Sequence, residues 1–150
     1  FKDSKRKGKY RNRSFDFLGY TFRCRQCIRK RDNSIFWSFN PAASKAALKS
    51  MRLKIKRGNW RNRTDLSLSE IASQCNPVIQ GWINYYGCYY RSELYQVWGH
   101  VNATLRAWAM RKYKPLKGHR TKAAHFLERI AKREPQLFAH WRLGVTMTFV

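Results

Sequence analysis

The sequence predicts a mainly α-helical bundle preceded by a short β-hairpin, so that the chain is α+β only at its N-terminal end. Three observations carry this. Apolar residues recur at helical spacing through several stretches between residues 41 and 133. Aromatic residues alternate with polar ones from residue 15 to residue 39, as on a half-buried strand pair. Over 150 residues, 43% hydrophobic and 15% aromatic side chains supply the material for one real core.

Residues 1–13 hold seven Lys and Arg with Gly8 and little apolar content, the pattern of a solvated basic arm or linker. In 14–40, Phe15, Phe17, Tyr20 and Phe22 punctuate polar neighbours, "RKRDNS" interrupts, and "IFWSF" resumes. This reads as a β-hairpin with Asp32 and Asn33 near its turn. The remainder, 41–150, reads as helical. Asn40 and Pro41 have the chemistry of an N-cap followed by a first helical residue. The helix predicted over about 41–57 puts Ala47, Leu48, Met51 and Ile55 on one face and Lys45, Lys49, Arg52 and Lys56 on another. The segment "RGNWRNR" then forms a basic loop carrying Arg57, Arg61 and Arg63, with Trp60 placed to stack on a base or sugar.

Ser67 with Glu70 makes a capping box for a short helix to about residue 73. Asn76 and Pro77 repeat the cap-plus-proline signal, which predicts a break there and a new helix. That helix has Ile79, Trp82, Ile83 and Tyr86 at i, i+3, i+4 and i+7, and Gly87 ends it. At this spacing Trp82 and Tyr86 belong to a core stripe, whereas Tyr85, Tyr89 and Tyr90 fall outside it and are open to other roles. A longer helix over about 92–113 carries Leu94, Val97, Val101, Leu105 and Trp108, and its end is basic with Arg111, Lys112 and Lys114. A last amphipathic helix, 121–133, turns Phe126, Leu127 and Ile130 inward. The stretch after it, with His140 beside Trp141, has no assigned element.

Charge narrows the partner. The 32 Lys and Arg against 8 Asp and Glu leave a net charge of +24. Residues 1–63 contribute +17 of it and residues 64–150 only +7. A polyanion relieves that repulsion, nucleic acid first and an anionic membrane surface second. No stretch approaches the roughly 18 to 20 apolar residues of a membrane span. The start has no apolar run of a signal peptide and no initial Met, so the sequence reads as a piece of a longer chain. Four cysteines without an export signal read as reduced thiols, in a bacterial cytoplasm or an organelle interior.

The chemistry-bearing residues exclude more than they suggest. A two-metal nucleic-acid enzyme needs clustered carboxylates, and the eight acids here are scattered, Glu70 being taken as a cap. Cys24 and Cys27 form half of a zinc pattern without the other half, and on a strand they would point to opposite faces. The four histidines have no nucleophile pattern beside them. These residues predict no catalytic site and no bound metal.

Four segments in order, "FDFLGYTF", "FNPAASKAALKSMRLKIKR", "LSEIASQCNPVIQGWINYYG" and "LRAWAMRKYK", together resemble the maturase-specific region of group II intron-encoded reverse transcriptases, with the end of the palm in front. The match runs from about Phe15 to Gly144. The resemblance implies that Phe17, Leu18, Gly19 and Tyr20 are the last palm strand. Asn76, Pro77, Gly81, Trp82, Tyr85, Tyr86 and Gly87 would belong to the signature thumb helix. It implies a thumb-like bundle that binds its own intron RNA and helps it fold for splicing, the magnesium ions belonging to the ribozyme and to the parent polymerase. A DNA target or RNA–DNA duplex would be a partner of the parent protein. The Tyr-x-Asp-Asp polymerase motif and the His/Cys-rich endonuclease module are absent from this sequence, so the resemblance carries RNA binding and thumb architecture, not polymerisation. The basic residues Lys45, Lys49, Arg52, Lys56, Arg57, Arg61, Arg63, Arg111, Lys112 and Lys114 are the expected RNA contacts. A thumb fragment that only grips template and primer, or an inactive remnant of a mobile intron, are the alternative expectations.

Overall fold

A computed structural model describes residues 13–146, so the basic arm expected at 1–13 lies, apart from Arg13, outside the described residues. The fold opens with an antiparallel sheet of β1 (Ser14–Phe17), β2 (Tyr20–Ile28) and β3 (Ile35–Ala43), in that spatial order. This is one strand more than the expected hairpin. The reason is Leu18–Gly19, whose φ values of 48° and 79° make a two-residue turn between Phe17 and Tyr20. "FLGY" is therefore a turn with its two flanking residues, not a strand. The β2–β3 turn does hold Asp32 and Asn33: the Asp32 carboxylate accepts from the Ser34 N–H at 3.1 Å and from its hydroxyl at 2.7 Å.

Asn40 and Pro41 do not start a helix. Both lie in β3, paired with Arg23 and Phe22, and proline is tolerated because β3 is an edge strand. The cap is Ser44, extended at φ −69° and ψ 156°, whose side chain accepts from the Ala47 N–H at 3.1 Å. It opens α1 (Lys45–Gly58), which buries Leu48, Met51 and Ile55 as its spacing predicts. Asn59, in the left-handed conformation, ends α1 and turns the chain into a 3-10 segment, Trp60–Asn62. Trp60 is buried at 8% exposure within the core. It cannot stack on a base.

The capping box at Ser67 and Glu70 is present, with both reciprocal bonds. It opens one continuous helix, α2 (Leu68–Tyr86), with Pro77 inside it. An interior proline costs about 3 kcal/mol. The buried stripe Ile71, Ala72, Cys75 and Ile79 runs across Pro77 without interruption and holds the helix together. Burial of that stripe outweighs the local break. Asn76 is then not a cap: its Nδ2 donates to the Leu137 carbonyl at 2.9 Å, and its Oδ1 accepts from the Ala139 N–H at 3.0 Å. It clamps the C-terminal stretch onto α2.

After a 3-10 turn at Arg91–Leu94, α3 (Tyr95–Lys112) runs through the centre of the bundle. Leu94, Val97, Val101, Leu105 and Trp108 are all at most 1% exposed, the stripe the periodicity defines. The last helix, α4 (Arg120–Arg133), buries Leu127, with Phe126 and Ile130 packed at the core's margin. The unassigned end closes the bundle with Phe138, His140 and Trp141, each at most 2% exposed.

Inside, the Asn102 Oδ1 accepts from the Trp141 indole N–H at 3.2 Å and meets His140 Nε2 at 2.8 Å. Its Nδ2 donates to the Val145 carbonyl at 3.2 Å. An oxygen acceptor at Nε2 requires the proton there, so His140 is the neutral Nε2–H tautomer. Burial pushes the His140 pKa down to about 3. Among the described residues no helix is long and apolar enough to cross a membrane.

Candidate nucleic-acid interface

The ten basic residues expected to contact RNA divide by what they touch. Lys45, Lys49 and Lys56 are exposed along one face of α1, and Arg57 and Arg61 are exposed where α1 ends and the 3-10 turn begins. Arg111 and Lys114 are exposed at the end of α3 and just beyond it. The other three are paired within the protein, Arg63 at the surface. The half-buried Arg52 donates to Gln96 Oε1 at 2.8 Å, tying α1 to α3. Arg63 forms a two-pronged pair with Asp65, Nε to Oδ1 at 3.1 Å and Nη2 to Oδ2 at 2.9 Å. The paired cation holds the Asp65 carboxyl below its usual range.

Lys112 is a structural clamp. Its ammonium donates to the Thr64 carbonyl at 3.0 Å and the Leu66 carbonyl at 2.5 Å, and lies 5.4 Å from the centre of the Trp108 ring. Beside it the Trp108 indole donates to the Arg63 carbonyl at 2.9 Å. These bonds lock the loop after α1 onto the end of α3. The segment carrying Arg61 and the end of α3 carrying Arg111 are thereby held at the same end of the bundle, with Arg57 at the end of α1 and Lys114 just beyond α3. An array of long cations on locked backbone suits phosphate contact, which positions a structured RNA without reading its bases.

The two quoted aromatic motifs meet. The Tyr20 hydroxyl donates to the Tyr85 carbonyl, and the Tyr85 hydroxyl donates to the Leu18 carbonyl at 2.9 Å. Tyr20 packs its ring against Tyr85, Tyr86 and Tyr89 at 5.4, 5.3 and 5.8 Å. Gly19 is required here twice over: its φ is +79°, and a Cβ would lie 2.6 Å from the Tyr86 hydroxyl. The Ser44 N–H donates to the Gly19 carbonyl at 2.8 Å, so the same turn is tied to the start of α1. Gly81, by contrast, faces open space, and nothing in the structure requires glycine there.

Sequence reasoning missed the joint on the other face of the sheet. Arg25, 6% exposed, donates to Glu93 Oε1 at 3.1 Å and lies 5.0 Å from the Tyr90 ring centre, which fixes β2 to the 3-10 turn before α3. Burial lowers the Arg25 pKa, and Arg23 adds to that, while Glu93 opposes it. No spacing signal marks a buried arginine in a chain with so many exposed ones. Cys24 and Cys27 stand three apart on β2 and so face opposite sides. Among the described residues no three Cys, His, Asp or Glu side chains converge as metal ligands.

The profile of a family described as "Group II intron, maturase-specific domain" matches residues 48–126, just over half of the chain. The chain belongs to this family. No curated protein and no solved structure matches it. The matched span starts inside α1 and ends inside α4. Within the matched span, therefore, lie Asn76, whose clamp partners Leu137 and Ala139 follow it, the Tyr85–Tyr86 pair, the Lys112 lock and every exposed cation of the array except Lys45. The β-sheet precedes the matched span.

Proposed function

We propose that this maturase-specific domain is an RNA-binding splicing cofactor that holds folded group II intron RNA, and that it serves as the thumb of a parent reverse transcriptase. The observation that carries the reading is the division of the basic residues. Arg52 and Lys112 brace the scaffold, Arg63 is paired with its neighbour Asp65, and seven cations, Lys45, Lys49, Lys56, Arg57, Arg61, Arg111 and Lys114, stand exposed on the surface so braced. The domain acts without catalysis of its own. Its work is electrostatic: neutralising phosphates where RNA helices approach each other, so that the compact intron is favoured over its open forms. Magnesium chemistry belongs to the ribozyme, and no residue of this chain is assigned to a metal. The bonds joining the "FLGY" turn to Tyr85 support the thumb role, because they fix the sheet, the expected end of a palm, to the bundle.

The test is the salt dependence of binding to a folded group II intron RNA. Each phosphate contact contributes a slope of about −0.7 to −0.9 in log Kobs against log salt, so seven contacts give about −5 to −6. Changing Lys45, Lys49, Lys56, Arg57 and Arg61 together to Gln should lower the slope's magnitude by about 4. An unchanged slope and affinity would place the interface elsewhere.

A further inference from the structure

The face of the sheet opposite Arg25 is uncovered and aromatic. Where it meets α2 it forms an open cleft of about 400 Å³ between Phe17, Leu18, Phe22 and Pro41 on the sheet and Tyr85 and Tyr89 on the helical side, with Tyr20 at its base. Its walls are unusually open for side chains of this kind: Phe17 is 60%, Leu18 67%, Tyr85 48% and Tyr89 53% exposed. Tyr20 and Tyr85 spend their hydroxyls on backbone carbonyls, so they present ring faces held in place. Tyr89 makes an edge contact with Tyr20, 5.8 Å between ring centres.

The surroundings decide what such a cleft takes. Exposed Lys45 and Arg91 are the cations nearest in sequence to the cleft's lining, while Arg25 is buried against Glu93 on the opposite face. Lys45, the first residue of α1, directly follows Ser44, whose N–H is bonded to the Gly19 carbonyl in the turn that forms the cleft's rim. Exposed Arg91 follows Tyr89 by two residues. Rigid aromatic faces beside cations are the arrangement that binds single-stranded nucleic acid, with bases on the rings and phosphates on the charges. An apolar protein surface would find the rings but would gain nothing from the charge.

We infer that the cleft between the Leu18–Gly19 turn and Tyr89 takes an unstacked base of single-stranded RNA, with Lys45 and Arg91 on the adjoining phosphates. This rests on the RNA-binding reading above and adds a second kind of contact to it: the basic array holds helices by their backbones, and the cleft captures an unpaired nucleotide.

The test uses an eight-nucleotide single-stranded RNA with a central 2-aminopurine, and the same strand in a duplex, against the parent chain, Tyr89→Leu, Tyr89→Phe and a variant with Lys49, Lys56, Arg57 and Arg61 changed to Gln. A stacked 2-aminopurine is quenched. The parent should quench the single strand further and leave the duplex emission, already low from base stacking, unchanged. One base on an aromatic ring contributes about 1 to 3 kcal/mol, so Tyr89→Leu should bind the single strand about 5-fold to 150-fold more weakly, with quenching reduced and the salt slope unchanged. Tyr89→Phe, which keeps the ring, should behave as the parent. The four-residue Gln variant, which leaves Lys45 and Arg91 in place, should lose affinity and salt slope yet still quench at saturation, which separates failure of the array from failure of the cleft. Parent and Tyr89→Leu alike in affinity and quenching, with both folded by circular dichroism, would overturn the inference. So would self-association of the parent that Tyr89→Leu abolishes without any quenching, since the cleft would then be a protein contact.

Discussion

Asn76 is the residue whose role the structure changes most, and replacing it tests the packing of the whole C-terminal stretch. Asn76→Ala removes two hydrogen bonds, to the Leu137 carbonyl at 2.9 Å and from the Ala139 N–H at 3.0 Å. Ala139 is 3% exposed, so water cannot readily replace its lost acceptor. A hydrogen bond contributes about 1 kcal/mol net, and an orphaned buried backbone group costs about 1 to 3 kcal/mol. The expected loss is therefore about 2 to 4 kcal/mol. With a urea m value of about 2 kcal/mol/M for a chain of this size, the midpoint should fall by about 1 to 2 M at unchanged m. Unfolding is read by tryptophan fluorescence, to which buried Trp98 and Trp141 contribute. Gln80→Ala is the control: it removes an exposed bond to Asn84 on the same helix and should change stability by less than about 0.5 kcal/mol. An Asn76→Ala loss no larger than that of the control would refute the clamp and return Asn76 to the helix-capping role its sequence context suggests.

Three further outcomes follow from the same geometry. His140, neutral when folded with its pKa pushed down to about 3 from an ordinary 6.5, binds more protons when unfolded, so stability should rise with pH through this window and fall as pH drops from 6.5 toward 3. The loss attributable to His140 should reach about 3 kcal/mol near pH 4.5, seen in urea melts as a slope that His140→Gln removes. Gly19→Ala should cost about 1 to 3 kcal/mol in the same melts, from a positive φ and the approach to the Tyr86 hydroxyl, whereas Gly81→Ala should be neutral or stabilising. Lys112→Gln should lower the melting temperature because Thr64 and Leu66 lose their shared donor, while the neighbouring Arg111→Gln should leave it unchanged and weaken only RNA binding.

What could be read from the sequence was whatever depends on long periodicity. The stripes Leu48–Met51–Ile55 and Leu94–Val97–Val101–Leu105–Trp108 are buried as their spacing implies, because a helix of 14 or 18 residues averages over its local irregularities. Short signals failed where two meanings share one chemistry. Asn-Pro is a helix start by local preference, but at 40–41 it is strand and at 76–77 it is helix interior, since burial of the surrounding apolar residues outweighs the dipeptide. Leu18–Gly19 passed for strand because Phe17 and Tyr20 keep the aromatic rhythm on either side of a two-residue turn. Trp60 looked like a nucleic-acid platform because its neighbours are basic, and only the left-handed Asn59, itself a legible C-cap, would have turned it inward. Among the basic residues, identity alone could not separate the bracing Arg52 and Lys112 from the exposed seven. The distinction is made by partners far away in sequence, Gln96 for Arg52 and Thr64 and Leu66 for Lys112.

The central claim is that a rigid basic surface recognises the folded group II intron. It is tested most directly by competing a folded group II intron RNA against an unrelated structured RNA of equal length for this chain, at low and near-physiological salt. The account predicts a preference for the intron that persists as salt rises, because the exposed cations sit on a locked scaffold whose shape salt does not screen. Equal binding to both RNAs, collapsing together with salt, would contradict it and leave only a basic surface without recognition.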